Sequence, residues 1–319
     1  MRKTTEAGSP EVRYVEVDAS REGQRLDNFL LGQLKGVPKS HVYRLLRRGE
    51  VRVNGGRVKP EYRLEAGDRV RIPPVRQAPR VQPGGEGFEW LLERVLYEDD
   101  DVLVLDKPAG LPVHGGSGVA VGVIEALRAL RPEGQMLELV HRLDRDTSGC
   151  LLLAKRRAAL LALHRALRDG HMEKRYLALL HGRWRGGARR IDVPLARDIE
   201  RGGERLVGVS EEGKAAESRF TPKGFYGPAT LVEIALVTGR THQARVHAAH
   251  TGHPIAGDDK YGVRDFNREL RSLGLKRMFL HAARLQFVHP SRDARLEVEA
   301  PLPRELSNIL ERLREPTSL

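Results

Sequence analysis

Apolar positions in the first quarter of the chain recur at helical spacing. Leu26, Phe29, Leu30 and Leu34 share one face of a predicted helix, and Gly36 follows as a stop signal. Ser40, just after Pro38, is placed to cap a second helix. On that helix Val42, Leu45 and Leu46 face one way and Arg44, Arg47 and Arg48 the other, and Gly49 closes it. Short strand-like pieces follow at 51–53 (VRV) and 68–72 (DRVRI), with an Asn54–Gly55 turn after the first. Residues 1–11 are polar. Residues 75–89 (VRQAPRVQPGGEGFE) hold prolines, glycines and no periodicity. The pattern thus predicts a compact unit over 13–74, a linker over 75–89 and a larger domain over 90–319.

In that larger domain the period shortens. Apolar runs at 102–105 (VLVL), 150–154 (CLLLA), 176–180 (YLALL), 230–236 (TLVEIAL) and 284–288 (RLQFV) predict strands, and 123–130 and 158–167 predict helices between them. This mixture predicts an α+β domain with a mixed, largely antiparallel sheet. No internal repeat or low-complexity tract interrupts it.

The chain has 319 residues, 40% of them hydrophobic, which suffices for two cores. Its 55 Lys and Arg against 43 Asp and Glu give a net charge of +12. That balance fits a phosphate-rich partner, although a merely soluble basic protein would share it. The excess is local: residues 35–63 hold nine basic and two acidic side chains. A solvated helix face usually alternates its signs, so this run reads as a phosphate-binding face of Lys39, Arg44, Arg47, Arg48 and Arg52. The one cysteine, Cys150, lies in an apolar run, can form no internal disulfide or CxxC zinc site, and reads as a small buried hydrophobe. No apolar leader opens the sequence and no run reaches membrane-spanning length, so a soluble, cytoplasmic protein is expected.

Candidate chemistry concentrates in His141–Gly149 (HRLDRDTSG), a polar knot between the apolar runs MLELV and CLLLA. Asp144, Asp146, Ser148 and Gly149 match positions of a calcium loop, but Lys155 stands where its bidentate Glu belongs. GVSEEGK at 208–214 approaches a phosphate loop, but Ala215 replaces the magnesium-binding hydroxyl and two glutamates would repel phosphate, so a surface turn is expected. His242, His247, His250 and His253 lack the i, i+4 zinc spacing and a nearby Cys; structural hydrogen bonding is the expectation. GGSG at 115–118 fails as a nucleophile elbow at Val119. By itself the knot reads two ways. Asp144 beside Arg142 and Arg145 is a structural ion pair in a tight turn, or a sheltered carboxylate serving as nucleophile or base.

Resemblance resolves that choice. GQRLDNFL at 23–30, KSHVYRLLRRGEVRVNG at 39–55 and LEAGDRVRI at 64–72 resemble the S4 RNA-binding domain. HRLDRDTSG resembles motif II of the RluA-type pseudouridine synthases, and further motifs follow the family's order. They are DKPAGL at 106–111, KRYLAL at 174–179, GRTHQARVH at 239–247 with Ala244 where Ile is common, GHPI at 252–255, DDKYG at 258–262 and LHA at 280–282. Segments such as GVPKS and VHGGSGVAVGVIEALRALRPE are similar to the branch named for ribosomal large-subunit synthase C.

The resemblance implies an isomerase that breaks the N1–C1′ bond of specific 23S rRNA uridines, turns the flipped uracil and joins C5 to C1′. Asp144 would be the catalytic aspartate, and Arg142 would fill the space the base leaves. Tyr176 would stack on the uracil, and Arg245 would pair with Asp144. No metal, nucleotide or redox cofactor is implied, and a monomer is expected. A synthase for another rRNA site or tRNA, or a non-catalytic ribosome-assembly factor, are the competing expectations. The role of His141 stays open.

Overall fold

The computed structural model describes residues 12–34, 37, 39–75, 87–115, 121–132, 136–201, 204–292 and 294–314. The chain divides into two compact units, Met1–Gln82 and Pro83–Leu319.

In the first unit, β1 (Arg13–Glu16), α1 (Leu26–Gln33), α2 (Lys39–Arg48), β2 (Arg52–Val53) and β3 (Arg69–Ile72) follow in order. The strands form an antiparallel sheet ordered β1-β3-β2. The predicted helical face is the buried one: Leu26, Phe29, Leu30 and Leu34 pack with Val42, Leu45, Leu46, Val70 and Ile72 in one core. Each such side chain removed from water contributes roughly 1.5–3 kcal/mol. Gly49 ends α2 at φ +68, a left-handed conformation that glycine adopts without a Cβ clash. Ser40 does not cap α2. The helix begins at Lys39, which puts Ser40 inside the first turn; Gly36 and Pro38 lie outside the described residues. Asn54 and Gly55 do form a turn, both at positive φ, but its return leg reaches only a bridge from Gly56 to Val53. The longer partner of β2 is β3. Asn54 ties the turn to the start of that strand, donating to Oδ1 of the preceding Asp68 at 2.7 Å and accepting from Arg69 N–H at 2.9 Å.

The second unit is built on a ten-stranded sheet. In chain order it holds β4 (Val95–Glu98), β5 (Val102–Lys107), α3 (Val123–Ala129), β6 (Glu138–Leu139), β7 (Ser148–Ala154), α4 (Arg157–Arg168) and β8 (Glu173–His181). Then come β9 (Arg189–Asp192), β10 (Leu195–Arg201), β11 (Glu204–Val209), β12 (Glu217–Tyr226), β13 (Ala229–Leu236) and α5 (Gln243–His250). Last are α6 (Arg264–Ser272), β14 (Leu280–Val288), β15 (Arg295–Glu299) and α7 (Arg304–Arg314). The main path runs β4-β5-β7-β14-β8-β13-β12-β9, with β15 on β14 and β6 on β7; β10 and β11 form a separate hairpin. Among the described residues every strand pairing is antiparallel except β14 with β7, which is parallel.

The apolar runs are continuous because both faces of the central strands are covered. Leu103, Leu105, Leu151 and Leu153 pack under α3 in one core, whereas Val102, Val104, Cys150 and Leu152 pack with Leu160 and Leu163 of α4 in another. Cys150 is thus a buried small hydrophobe, as its surroundings in sequence suggested. A third core of Phe266, Leu270, Phe279, Leu306 and Ile309 seats α6 and α7. These layers hold the segment between β6 and β7, and the β8 strand beside it, in fixed positions.

Candidate active site

The polar knot is the connection from β6 to β7, and its anchors are side chains at both ends. Val140 N–H donates to Leu152 O at 3.1 Å. Leu152 N–H in turn donates to His141 Nε2 at 3.1 Å, so the imidazole stands where a strand carbonyl would be. Desolvation, reinforced by the charge of Lys174, lowers the His141 pKa to about 4. The ring is neutral, and this bond assigns its proton to Nδ1. The residue whose role the sequence left open is a strut of the loop.

The other side of the loop rests on Lys107 at the end of β5, which is fully buried. Its ammonium donates to the carbonyls of Pro108 at 2.7 Å, Leu111 at 2.8 Å and Arg145 at 3.0 Å, one acceptor for each N–H. Burial pushes its pKa down to about 7, with Asp146 pulling the other way. Gly110 N–H donates to the same Arg145 carbonyl at 2.8 Å. The DKPAGL segment therefore functions as a cradle for the loop. Gly149 has φ +105, and a Cβ there would run into the Ala282 carbonyl across the parallel pairing with β14. Ser148 Oγ receives Arg277 Nη2 at 2.9 Å and sits 2.9 Å from His281 Nδ1. Asp146, Thr147, Ser148 and Gly149 shape the loop, and the LHA element supplies its far support.

Asp144 begins the turn closed by Thr147 N–H donating to its carbonyl at 3.2 Å, and its side chain is 23% exposed. Arg245 on α5 lies with Nη1 3.4 Å from Asp144 Oδ2, and His242 Nε2 lies 3.9 Å from the same atom. The sequence implied an Arg245–Asp144 pair; the structure gives the shorter contacts to another carboxylate. Arg245 Nε and Nη2 donate to Asp258 at 2.7 and 2.8 Å. Asp258 is 1% exposed and also accepts from the backbone N–H of Lys260 and Tyr261. Asp258 thus orients the guanidinium and leaves Nη1 for Asp144. Its position in the DDKYG run was visible in the sequence, but its partner, reached only through the fold, was not. His242 precedes α5 at φ +54, a left-handed conformation unusual for a residue with a side chain, and its Nδ1 lies 2.9 Å from Tyr261 OH.

Tyr176 projects from β8 with 6% exposure. Burial, then the charge of Asp144, raise its phenol pKa, so at neutral pH the ring is neutral and its hydroxyl keeps its proton. Asp144, Tyr176, Arg245, Arg142, Lys174 and His141 line one cavity of about 630 Å³. Arg142 is exposed at its rim. A second cavity of about 560 Å³ shares Arg142, Asp144 and Arg245 and continues past Arg277 and Lys276. A cavity roomy enough for a nucleotide and a basic approach therefore meet at Asp144.

The near-miss motifs take other roles. His247 lies 2.9 Å from Ser218 Oγ and 3.2 Å from Val193 O, and His253 lies 2.9 Å from His181 O, so these imidazoles are engaged separately in hydrogen bonds. Gly208–Lys214 is more than a surface turn. It ends β11, bridges Leu195 through Lys214, and contributes Glu212, Gly213 and Lys214 to the wall of the larger cavity. In the first unit Arg44, Arg47, Arg48 and Arg52 are exposed, and the side chain of Lys39 lies outside the described residues. Arg57, Arg69 and Arg71 join Arg48 and Arg52 around one shallow depression, which extends the basic face beyond the residues picked from sequence.

Comparison with known proteins matches residues 101–250 to the RNA pseudouridylate synthase family and residues 24–70 to the S4 domain. Ribosomal large subunit pseudouridine synthase C of Escherichia coli (strain K12) is 55% identical over 312 residues, covering 96% of this chain and 98% of that protein. The protein of the same name from Pasteurella multocida (strain Pm70) is 51% identical over 311 residues, covering 96% and 95%. The solved structure of human RNA Pseudouridylate Synthase Domain Containing 4 superposes with a TM-score of 0.60 at 26% identity, over 73% of this chain and 97% of that one. With a match of this identity running through both units, the chain belongs to the RNA pseudouridylate synthase family, in its S4-bearing form.

Proposed function

We propose that the enzyme converts specific uridines of 23S ribosomal RNA to pseudouridine, with Asp144 as the catalytic carboxylate. The observation that carries this reading is the placement of Asp144. Its carboxylate lines a nucleotide-accommodating cavity whose walls include a neutral aromatic ring, Tyr176, and a guanidinium, Arg245, that is itself oriented by Asp258. A uridine stacked in RNA cannot reach such a site, so the nucleotide turns out of its helix at a cost of a few kcal/mol. Arg142 at the rim fills the vacated space. Tyr176 stacks on the flipped uracil and keeps water off it. Asp144 acts on the nucleotide as the N1–C1′ bond breaks; the uracil turns, C5 bonds to C1′, the C5 proton is lost and N1 gains a proton. A glycoside hydrolase needs a second carboxylate to activate water. Here water is excluded and the leaving uracil spreads charge over its own carbonyls, so one carboxylate suffices, with no metal, nucleotide or redox cofactor.

The reading assigns RNA docking to residues 13–74, through Lys39, Arg44, Arg47, Arg48 and Arg52, and chemistry to 90–319, with 75–89 between them and the protein acting as a monomer. The large-subunit substrate is supported by the likeness to proteins bearing that name across 96% of the chain. The test is pseudouridine mapping in a strain deleted for the gene. Wild-type protein restores the missing 23S rRNA positions and Asp144→Asn protein does not. Loss confined to tRNA, or restoration by Asp144→Asn, overturns the proposal.

A further inference from the structure

Two lysines of the second unit are almost wholly buried, and their surroundings differ. Lys107 has three carbonyl acceptors. Lys174 is 6% exposed and lines the cavity that holds Asp144, yet its ammonium has no hydrogen bond or ion pair among the described residues. Its stem is buried, but the nitrogen opens to the cavity, where partial desolvation makes a cation costly until an anion meets it. Proteins retain such groups where a ligand supplies the missing charge.

Its position says which part of the ligand that is. Lys174 lies two residues before Tyr176 on β8, so both side chains leave the same face of the strand, about 7 Å apart. Across from it Gly239 keeps the space open: a Cβ there would stand 3.4 Å from Lys174 Nζ. The ammonium thus points into the volume beside the ring on which the uracil stacks. A backbone phosphate belongs with the exposed cations of the rim.

A cation there favours the chemistry by any route. If Asp144 attacks C1′, or takes the 2′ proton, the N1–C1′ electron pair leaves with the uracil and spreads over N1, O2 and O4. If Asp144 adds to C6, the electrons of the C5–C6 double bond move onto O4. In each case the ring carries a negative charge before C5 bonds to C1′, and a preorganised cation in a dry site is worth most against such charge. We propose that the Lys174 ammonium is the catalytic residue that binds this charge on the uracil carbonyl edge. The inference rests on the reading of Asp144 as the catalytic carboxylate.

The lowered basicity of the group agrees with this place. Burial alone brings its pKa to about 8, with no carboxylate opposing it. Sharing its cavity are the carboxylates Asp144 and Glu212, the cations Arg142, Arg197, Lys214, Arg240 and Arg245, and the titratable rings His141, His242 and Tyr176.

The experiment is single-turnover conversion of a 23S rRNA transcript by full-length Lys174→Met and Lys174→Arg proteins, with RNA binding and melting temperature measured alongside. Lys174→Met is expected to lose on the order of 10²–10³ in rate at saturating RNA, with Kd within about threefold of wild type. Lys174→Arg, also cationic, is expected to recover at least tenfold of that loss, and to remove a fall in the wild-type rate above pH about 8. A Lys174→Met rate within threefold of wild type overturns the proposal. So does a loss confined to Kd and its salt dependence, which would make Lys174 a phosphate contact. Equal loss in both variants, with a lowered melting temperature, makes it a packing residue and also overturns it. Asp144→Asn run in parallel separates the two readings: if that variant turns over, the site assignment itself has failed, whatever Lys174 does.

Discussion

The two units handle positive charge in opposite ways. Around Asp144 the cations that hold the site's geometry are tied: Arg245 to Asp258 and Asp144, Lys107 to three carbonyls, Arg277 to Ser148. On α2 and β2 the arginines stand in solvent. Arg48 approaches Glu50 at 3.9 Å with both side chains exposed, and among the described residues Arg52 donates only to the Gly55 carbonyl, at 3.3 Å. An exposed pair of that kind contributes about 0–1 kcal/mol. Tied cations fix geometry to fractions of an ångström, which chemistry requires. Free cations adapt to a phosphate backbone and release counterions. The contrast supports the proposed division between a catalytic apparatus around Asp144 and a docking face on α2 and β2.

Asp144→Asn tests that separation hardest. Conversion should fall roughly a thousandfold or more, while the affinity for rRNA, measured by filter binding, stays near wild type. A large loss of affinity would mean that the two functions are not divided as the charges suggest. Asp258→Ala should come next. It leaves the Arg245 guanidinium buried without its two-point partner, a loss of about 3–5 kcal/mol in folding stability by denaturant titration. In the protein that remains folded, the saturating rate should drop on the order of a hundredfold as Arg245 loses its orientation. An unaltered rate would show that Arg245 needs no second carboxylate.

The opposite outcome is expected for Arg47→Ala/Arg48→Ala on α2. Affinity at physiological salt should weaken about tenfold, and the salt slope should shrink by roughly 0.7–0.9 for each phosphate that the variant no longer neutralises. The rate at saturating RNA should not move. If that rate falls while the slope stays, the exposed face is not a docking face.

Half of the helices and strands announced themselves, because burial dictates their pattern. The runs at 102–105, 150–154 and 230–236 are strands inside a covered sheet, and α2 separates Val42 and Leu45 from Arg44 and Arg48 by its period alone. The short or polar elements left no such mark. β6 spans two residues, and the β10–β11 hairpin is a charged pair whose end imitates a phosphate loop. Helix α5 hid inside GRTHQARVH because its residues Gln243–Ala248 are buried nearly all round, so no amphipathic stripe exists to be read. Within the site, motif resemblance marked Asp144, Tyr176 and Arg245. It said nothing of how the last is held, because Asp258 becomes its partner only through the turn that follows α5. Lys107 and His141 were likewise visible as letters, but their bonds to Arg145 O and Leu152 N depend on strand register.

His141 offers the smallest and most specific test of the tied half of the comparison. Its imidazole works as an acceptor only while neutral. Its folded pKa of about 4 lies below the 6.5 of a free imidazole, so on acidification the unfolded chain takes up the proton first. Its contribution to stability is therefore complete above pH 6.5 and is lost as pH falls toward 4. His141→Gln retains an amide oxygen that can accept from Leu152 N–H and has nothing to protonate. Between pH 7.5 and 5, the stability of wild type measured by urea unfolding should decline by about 1–2 kcal/mol more than that of the variant. Parallel declines would mean that the ring can charge without releasing Leu152, and the strut would then be no part of what holds Asp144 in place.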